Sequence, residues 1–176
     1  MNGWSVNSDL WTGWKKTAFG ERLIAKMAKF KNADEKGLAI AKALHARETT
    51  SAAWGLNLVD AGEGWARCSM VVRDDMLNGL NTAHGGMIFS LADTAFAWAC
   101  NSRNVATFAQ HASISFLSSG QPGETLTAEA REDATAGRSG VYTVRVTGGD
   151  GRVVAVFQGL SRTAGGPVID EEEENS

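Results

Sequence analysis

The sequence predicts a single α+β domain in which an antiparallel sheet wraps around one long apolar helix. Its 176 residues suit one hydrophobic core, and 43% hydrophobic with 21% charged residues is an ordinary globular composition. Between residues 55 and 166 the hydrophobic patterns run strand, strand, helix and then four strands. Because short turns join consecutive strands, we expect antiparallel pairing.

Two helices are predicted ahead of the sheet. Between Trp11 and Lys31 apolar residues recur at steps of three and four, while the opposite face is basic. We expect this helix to pack on its own domain; a partner protein or a membrane surface is the less favoured alternative. A second helical stretch runs from Asp34 to Arg47. The expected parts are a helical N-terminal extension (1–50), the main domain (51–166) and an acidic, solvated tail (167–176).

The strands are predicted from alternating apolar residues. Leu56–Val59 and Trp65–Val72 flank Gly62-Glu63-Gly64 and are typical of a hairpin. Four further strands are expected around Phe108–Phe116, Leu126–Arg131, Tyr142–Thr147 and Val153–Leu160. The last strand is apolar on both faces, which favours an interior place in the sheet.

The long helix, about Gly85 to Asn101, is apolar on nearly every side. Such a helix needs more cover than one sheet face supplies, and a partner subunit is the simplest source. Its apolar run, Met87–Cys100, contains three polar residues and is shorter than the roughly 20 residues that cross a bilayer. We therefore interpret it as a core element.

Charge and cysteine content narrow the function classes. A net charge of −3 argues against nucleic acid as a partner. The two cysteines, Cys68 and Cys100, fit neither a metal-site spacing nor a disulfide scaffold, so we expect no metal site and a reducing, cytoplasmic compartment. Residues 1–8 do not have the pattern of a secretory signal.

Asp93, in the middle of the apolar helix, is the residue most in need of an explanation. A buried carboxylate marks either a cleft or a structural hydrogen bond. His84-Gly85-Gly86 opens the same helix, where free N–H groups form either an oxyanion hole or only a tight turn. Together these features suggest acyl transfer. Nine residues of helix rise roughly 13 Å, so the two features cannot meet within one chain but could meet across a two-fold axis.

Several motifs resemble those of the PaaI-type hotdog thioesterases of phenylacetate degradation. They include Asn78–Gly86, Phe89–Ala97, Ile114–Leu117 and Gly123–Ala128, and the likeness runs from about residue 41 to residue 166. It implies the hotdog fold, paired into a dimer and commonly doubled into a tetramer. It also implies active sites shared across the dimer interface.

The resemblance assigns roles to individual residues. Asp93 is similar to the family's catalytic carboxylate, acting as general base or as nucleophile. Gly85 and Gly86 are similar to its oxyanion donors, contributed by the facing subunit. Asn78 matches an asparagine that orients water or the thioester, and His84 is expected to shape the turn.

Two arginines are candidates for contact with the phosphates of coenzyme A. Arg138 and Arg162 resemble positions that are basic in relatives, although each is equally well interpreted as a solvated charge. The family often has Arg-Pro where this chain has Ser118-Ser119, which removes one expected positive charge. The N-terminal extension of about 40 residues has no counterpart role in the family.

The implied function is hydrolysis of acyl-coenzyme A thioesters, with phenylacetyl or hydroxyphenylacetyl as the acyl group. Coenzyme A is then part of the substrate, and no bound cofactor or metal is expected. A non-catalytic acyl-coenzyme A binder or sensor is the alternative. A hotdog hydratase is disfavoured, because the sequence offers no acid–base pair beyond His84 and Asp93.

Overall fold

A computed structural model describes residues 30–169. The helices are α1 (Ala33–Arg47), α2 (Thr49–Trp54) and α3 (Gly85–Asn101), with a short 3-10 helix at Asp74–Met76. The strands are β1 (Asn57–Gly62), β2 (Trp65–Val71), β3 (Thr107–Phe116), β4 (Thr125–Ala136), β5 (Ser139–Thr147) and β6 (Val153–Thr163). The predicted helix at 11–31 and the acidic run at 170–174 lie outside the described residues. None of the described helices is long and apolar enough to cross a bilayer.

All six strands form one antiparallel sheet in the order β1-β2-β4-β5-β6-β3. The predicted α+β class and the element order are confirmed, as is the hairpin of β1 and β2. The interior position predicted for the last strand is also confirmed, since β6 pairs with β5 on one side and β3 on the other. The edges of the sheet are β1 and β3.

Bulges give the sheet the curvature that wraps it around α3. The ladders shift register between Leu58 and Asp60, between Ala109 and His111, and between Glu132 and Ala134. An extra residue at such a point bends its strand and increases the local twist. The concave face that results holds α3, which contacts all six strands.

Large side chains of α3 fill the space between helix and sheet. Phe96 and Trp98 are each 1% exposed, and the Phe96 ring packs edge-on against Tyr142 with a centroid separation of 5.3 Å. Gly159 of β6 faces this ring, and a Cβ there would lie 2.8 Å from the ring carbons. A residue without a side chain at position 159 therefore allows α3 to approach β6.

The α1 helix packs on the main domain, against β1 and α3. Asn32 caps its start by accepting the N–H of Glu35 through Oδ1 at 2.8 Å. Ile40 and Ala43 on its buried side form a small cluster with Val168 and Ile169. The domain boundaries expected at residues 50 and 166 stay a prediction.

Strand β3 differs from its expected half-buried state. Most of its residues are exposed, including Phe108 (56%) and Phe116 (51%). The reason is its place in the sheet: β3 is an edge strand, and no element of residues 30–169 pairs with its outer side. An exposed edge with apolar side chains is a surface that favours pairing with another chain.

Candidate active site

The N-terminus of α3 is shaped by the histidine that precedes it. His84 is the N-cap residue; its Nδ1 accepts the N–H of Gly86 at 2.9 Å, and its carbonyl accepts the N–H of Met87 at 2.9 Å. The N–H of His84 donates to the carbonyl of Met76 at 2.8 Å. The histidine thus holds the turn from both sides, and the amide of Gly86 is already occupied.

Gly85 carries the open amide at this helix end. Within residues 30–169 its N–H donates to no acceptor, as is usual for the first residue of a helix. The ring of Phe116 lies over it, and a Cβ at position 85 would come 3.2 Å from Phe116 Cζ. A hydrogen-bond donor at the positive end of the helix dipole therefore stands beside an aromatic edge.

Asn78 stabilises the loop that leads into α3. Its Oδ1 accepts the N–H of Leu80 at 2.9 Å and that of Thr82 at 3.3 Å, while its Nδ2 donates to Thr82 Oγ1 at 3.0 Å. Asn81, between these two residues, has a φ of +58°. The side chain of Asn78 thus holds the loop directly after Leu77, which forms a bridge with Ala83.

Asp93 lies two turns into α3 on its less buried face. Phe89 and Ala97, one turn before and one turn after, share this face and are also only partly buried. The Asp93 carboxylate accepts no hydrogen bond from the described residues. Burial, and after it the negative charge of Glu48, raise the pKa of the Asp93 carboxyl. A carboxylate in this setting is a stronger base than an ordinary aspartate.

Glu48 was not among the residues predicted from the sequence. It stands between α1 and α2, 45 positions before Asp93, and only the packing of α1 on α3 brings the two charges near each other. Its carboxylate accepts the hydroxyl of Ser51 at 2.6 Å and that of Thr50 at 3.3 Å. No local signal marks this residue, because glutamate is not a favoured N-cap residue and the Glu48 side chain caps no backbone N–H of α2.

A cavity of about 620 Å³ opens one turn beyond Asp93. Its walls come from the end of α1, the second half of α3, the start of β3 and residues 165–168. The lining residues include Leu44, Glu48, Ala97, Trp98, Asn101 and Phe108. The size and the mainly apolar lining are those of a small-molecule site.

The two arginines expected at the phosphates lie elsewhere in the chain. Arg138, in the turn between β4 and β5, donates from Nε (3.1 Å) and Nη2 (2.6 Å) to the carbonyl of Thr163. Arg162 is exposed on β6, where it alternates with buried Ser161 and so lies on the outer face of the sheet. Neither arginine contacts Asp93 or the start of α3 among residues 30–169.

A second depression, of about 670 Å³, also lies on the outer face of the sheet. Three of its charged residues pair with one another: Arg67 donates from Nε to Glu129 at 2.8 Å, and Arg131 donates from Nε to the same carboxylate at 2.7 Å. Thr127, Glu129 and Arg131 alternate with the buried residues of β4 that face α3. This depression is therefore separated from Asp93 by the sheet.

Comparison with known proteins supports the resemblance seen in the motifs. Residues 80–155 match a family model described as the thioesterase superfamily. The acyl-coenzyme A thioesterase PaaI of Escherichia coli (strain K12) is 40% identical over 131 residues, which cover 74% of this chain and 94% of that protein.

Solved structures of related proteins also match this chain. The structure of the E. coli PaaI protein from the phenylacetic acid degradation operon matches with a TM-score of 0.76 at 38% identity, over 77% of this chain and 99% of that one. A Streptococcus mutans UA159 protein bound to acetyl-coenzyme A matches with a TM-score of 0.61 at 28% identity, over 64% of this chain and 90% of that one. The chain therefore belongs to the thioesterase superfamily, as a hotdog enzyme of the PaaI type.

Proposed function

We propose that this chain hydrolyses acyl-coenzyme A thioesters and that arylacetyl groups, phenylacetyl or hydroxyphenylacetyl, are its preferred acyl groups. The similar protein PaaI is named an acyl-coenzyme A thioesterase, and another relative was solved with acetyl-coenzyme A. The observation that carries the proposal is Asp93, a half-buried carboxylate with a raised pKa and no hydrogen-bond partner among the described residues. Such a group is costly to keep unless it serves chemistry.

The working unit in this proposal is a two-fold dimer. The outer side of β3 offers an unpaired strand edge, and Phe116 (51% exposed) and Leu117 (64% exposed) lie at its end. Pairing of two β3 edges about a two-fold axis would extend the sheet and cover these side chains. The start of the partner's α3 would then face Asp93, which removes the spacing of roughly 13 Å that separates the two features within one helix. Doubling of the dimer into a tetramer stays a prediction.

Asp93 acts as the general base in the proposed reaction. Its carboxylate takes a proton from water while the water oxygen bonds to the thioester carbonyl carbon. The N–H of Gly85 from the facing subunit donates to the oxyanion that forms. When the tetrahedral intermediate collapses, the carbon–sulfur bond breaks, and the coenzyme A thiolate receives the proton held by Asp93. His84 shapes the turn that presents the Gly85 amide, and Asn78 holds the loop before it. The role of Asn78 in orienting water or the thioester stays a prediction.

Direct attack by Asp93 on the carbonyl carbon is the competing pathway. The new bond would give a mixed anhydride and release the thiolate before water enters. The raised pKa of Asp93 supports the base role. Single turnover in ¹⁸O-labelled water tests the nucleophile route: if water opens the anhydride at Asp93 Cγ, ¹⁸O enters the Asp93 carboxylate and the first product carries unlabelled oxygen. Attack of water at the acyl carbon gives the same labels as the base route.

The cavity beside Asp93 is proposed to receive the acyl group. Trp98 and Leu44 provide apolar walls, and the volume of about 620 Å³ accommodates an aromatic ring. Coenzyme A enters only as part of the substrate, with no bound cofactor or metal. Arg162 is the better candidate for contact with its phosphates, since the guanidinium of Arg138 is committed to Thr163. A cytoplasmic location stays a prediction.

Purified Asp93→Ala tests the function directly. Thiol release from phenylacetyl, hydroxyphenylacetyl, benzoyl and straight-chain coenzyme A thioesters is measured for the parental and variant proteins, with size-exclusion chromatography to show equal assembly. We expect the arylacetyl thioesters to be hydrolysed fastest and Asp93→Ala to be inactive. Parental rates in Asp93→Ala would contradict the assignment, and binding without product in the parental protein would favour an acyl-coenzyme A sensor.

A further inference from the structure

The corner between α1 and α2 holds the carboxylate of Glu48 in a fixed place. The Glu48 N–H donates to the carbonyls of Leu44 (3.1 Å) and His45 (3.3 Å), which ends α1. Ser51, fully buried, donates its hydroxyl to the Glu48 carboxylate at 2.6 Å, and Thr50 does so at 3.3 Å. Two hydroxyl groups and the helix end therefore restrict where this negative charge can lie.

The carboxylate of Glu48 lines a cavity that borders the face of α3 on which Asp93 lies. Glu48 lines the 620 Å³ cavity opposite Ala97 and Trp98 of α3. Ala97 is one turn from Asp93, and residues four apart share a helix face. The N-terminal extension thus brings the carboxylate of Glu48 toward Asp93, the proposed base.

We propose that Glu48 is a positioning residue that acts through Asp93, keeping it a strong enough base to take a proton from water. The inference rests on the proposed function and names a part of the chain that the function did not use. A neighbouring negative charge disfavours a second one, so Asp93 binds a proton more readily with Glu48 ionised beside it. In agreement, the charge of Glu48 is the second cause, after burial, of the raised pKa of Asp93.

Other titratable groups also face α3 from the elements packed against it. They are Arg47 and His45 from α1, Cys68 from β2 and Tyr142 from β5, with Cys100 on α3 itself.

Most of these groups keep one charge state in a neutral pH range. Burial raises the pKa of Cys100 to about 12 and that of Cys68 further, so both thiols are protonated. Burial likewise raises the pKa of Tyr142. Arg47 donates to the carbonyls of Ala43 and Val168. The ring of His45 packs against Trp98 at 5.3 Å, so this histidine needs its own control.

The experiment compares Glu48→Gln, Glu48→Asp and the parental protein. Gln keeps the shape and an acceptor for Ser51 but removes the charge, whereas Asp keeps the charge. The profile of kcat/KM against pH is measured with phenylacetyl-coenzyme A from about pH 4.5 to 9, which spans the titration range of a carboxyl with a raised pKa. Asp133→Asn, which removes a negative charge on the outer sheet face, and His45→Gln are the matched controls.

We expect Glu48→Gln to move the acid limb of the profile down by about 0.5 to 1 pH unit and to lower kcat at pH 7 by about two- to threefold, with KM unchanged. Glu48→Asp should bring the limb back toward its parental position. Both controls should keep the parental limb.

Carboxyl ¹³C NMR titration of Asp93 reports the same coupling without activity. In the parental protein the Asp93 signal should titrate above the ordinary range of an aspartate, and its midpoint should fall in Glu48→Gln but not in Glu48→Asp. The parental midpoint is a readout that holds even if Glu48→Gln does not fold. An ordinary Asp93 midpoint in the parental protein, or the same acid limb in Glu48→Gln as in the parental protein, would overturn the inference; equal losses in Glu48→Gln and Glu48→Asp would do so as well. An active Asp93→Ala would instead overturn the proposed function.

Discussion

Replacement of Gly85 by proline removes one backbone N–H from the start of α3 and tests whether this amide is the oxyanion donor. Proline fits the first helical position, where no intrahelical bond is lost. The preceding His84 is extended, with φ −63° and ψ 135°, which is the conformation that a following proline favours. The backbone of α3 should therefore begin as before.

Gly85→Ala is the matched control, because both variants add a Cβ and only proline removes the N–H. The added Cβ lies 3.2 Å from Phe116 Cζ, and any effect of this contact is common to both variants. Loss of one oxyanion donor typically costs about 2.7 to 4 kcal/mol, or a factor of about 100 to 1,000 in kcat. We expect this factor between the proline and alanine variants.

The assay is the initial rate of thiol release at saturating phenylacetyl-coenzyme A, with Tm and size-exclusion elution measured for both variants. Equal Tm values and equal elution show that fold and assembly are kept. If Gly85→Pro then turned over within tenfold of Gly85→Ala, the Gly85 N–H would not be the donor. The amide of Gly86, held by His84 Nδ1 in this structure, would become the next candidate.

Three further predictions follow from the structure. Co-expressed Asp93→Ala and Gly85→Pro chains, each inactive alone, should recover about a quarter of parental activity, because half of the randomly formed dimers would carry one intact shared site; no recovery would argue against sharing. Burial raises the pKa of Asp93 in the folded protein, so its contribution to stability is greatest at low pH and is lost as the pH rises. Asp93→Asn should therefore raise Tm at pH 8, and this gain should shrink toward pH 4; an unchanged Tm at pH 8 would count against a costly buried charge. Gly159→Ala, whose Cβ would lie 2.8 Å from the Phe96 ring, should lower the free energy of unfolding measured in urea by about 1 to 3 kcal/mol. Gly149→Ala, whose Cβ would have no atom within 4 Å, should lower it much less.

Local sequence signals located α3 and most strands. The glycine pair after His84 marked the start of α3 at Gly85, and the apolar run marked its end at Asn101, both as observed. The β4 strand runs five residues beyond the predicted end at Arg131. The added residues, 132–136, are polar residues and alanines without a large apolar side chain, so their strand conformation depends on pairing with β5 across a bulge.

The cavity, the proximity of Glu48 to Asp93 and the exposure of β3 depend on tertiary packing, which the sequence pattern does not reveal. The cavity combines residues from the end of the N-terminal extension with residues of α3, of the start of β3 and of 165–168, and the proximity of Glu48 to Asp93 depends on how α1 lies against α3. Periodicity describes which face of a helix is apolar, but it does not say which element covers that face. The exposure of β3 has the same origin, since its alternation predicted a buried face without identifying a neighbour.

Asn104 joins the two ends of the described chain. Its Oδ1 accepts the N–H groups of Val168 (3.0 Å) and Ile169 (2.9 Å), and its Nδ2 donates to the Ile169 carbonyl at 2.9 Å. Ile169 in turn is buried against Ile40 of α1. Removal of α1 or of the segment around Val168 and Ile169 would therefore expose the apolar residues of the segment that remains. The smallest fragment that stays in solution should retain both segments.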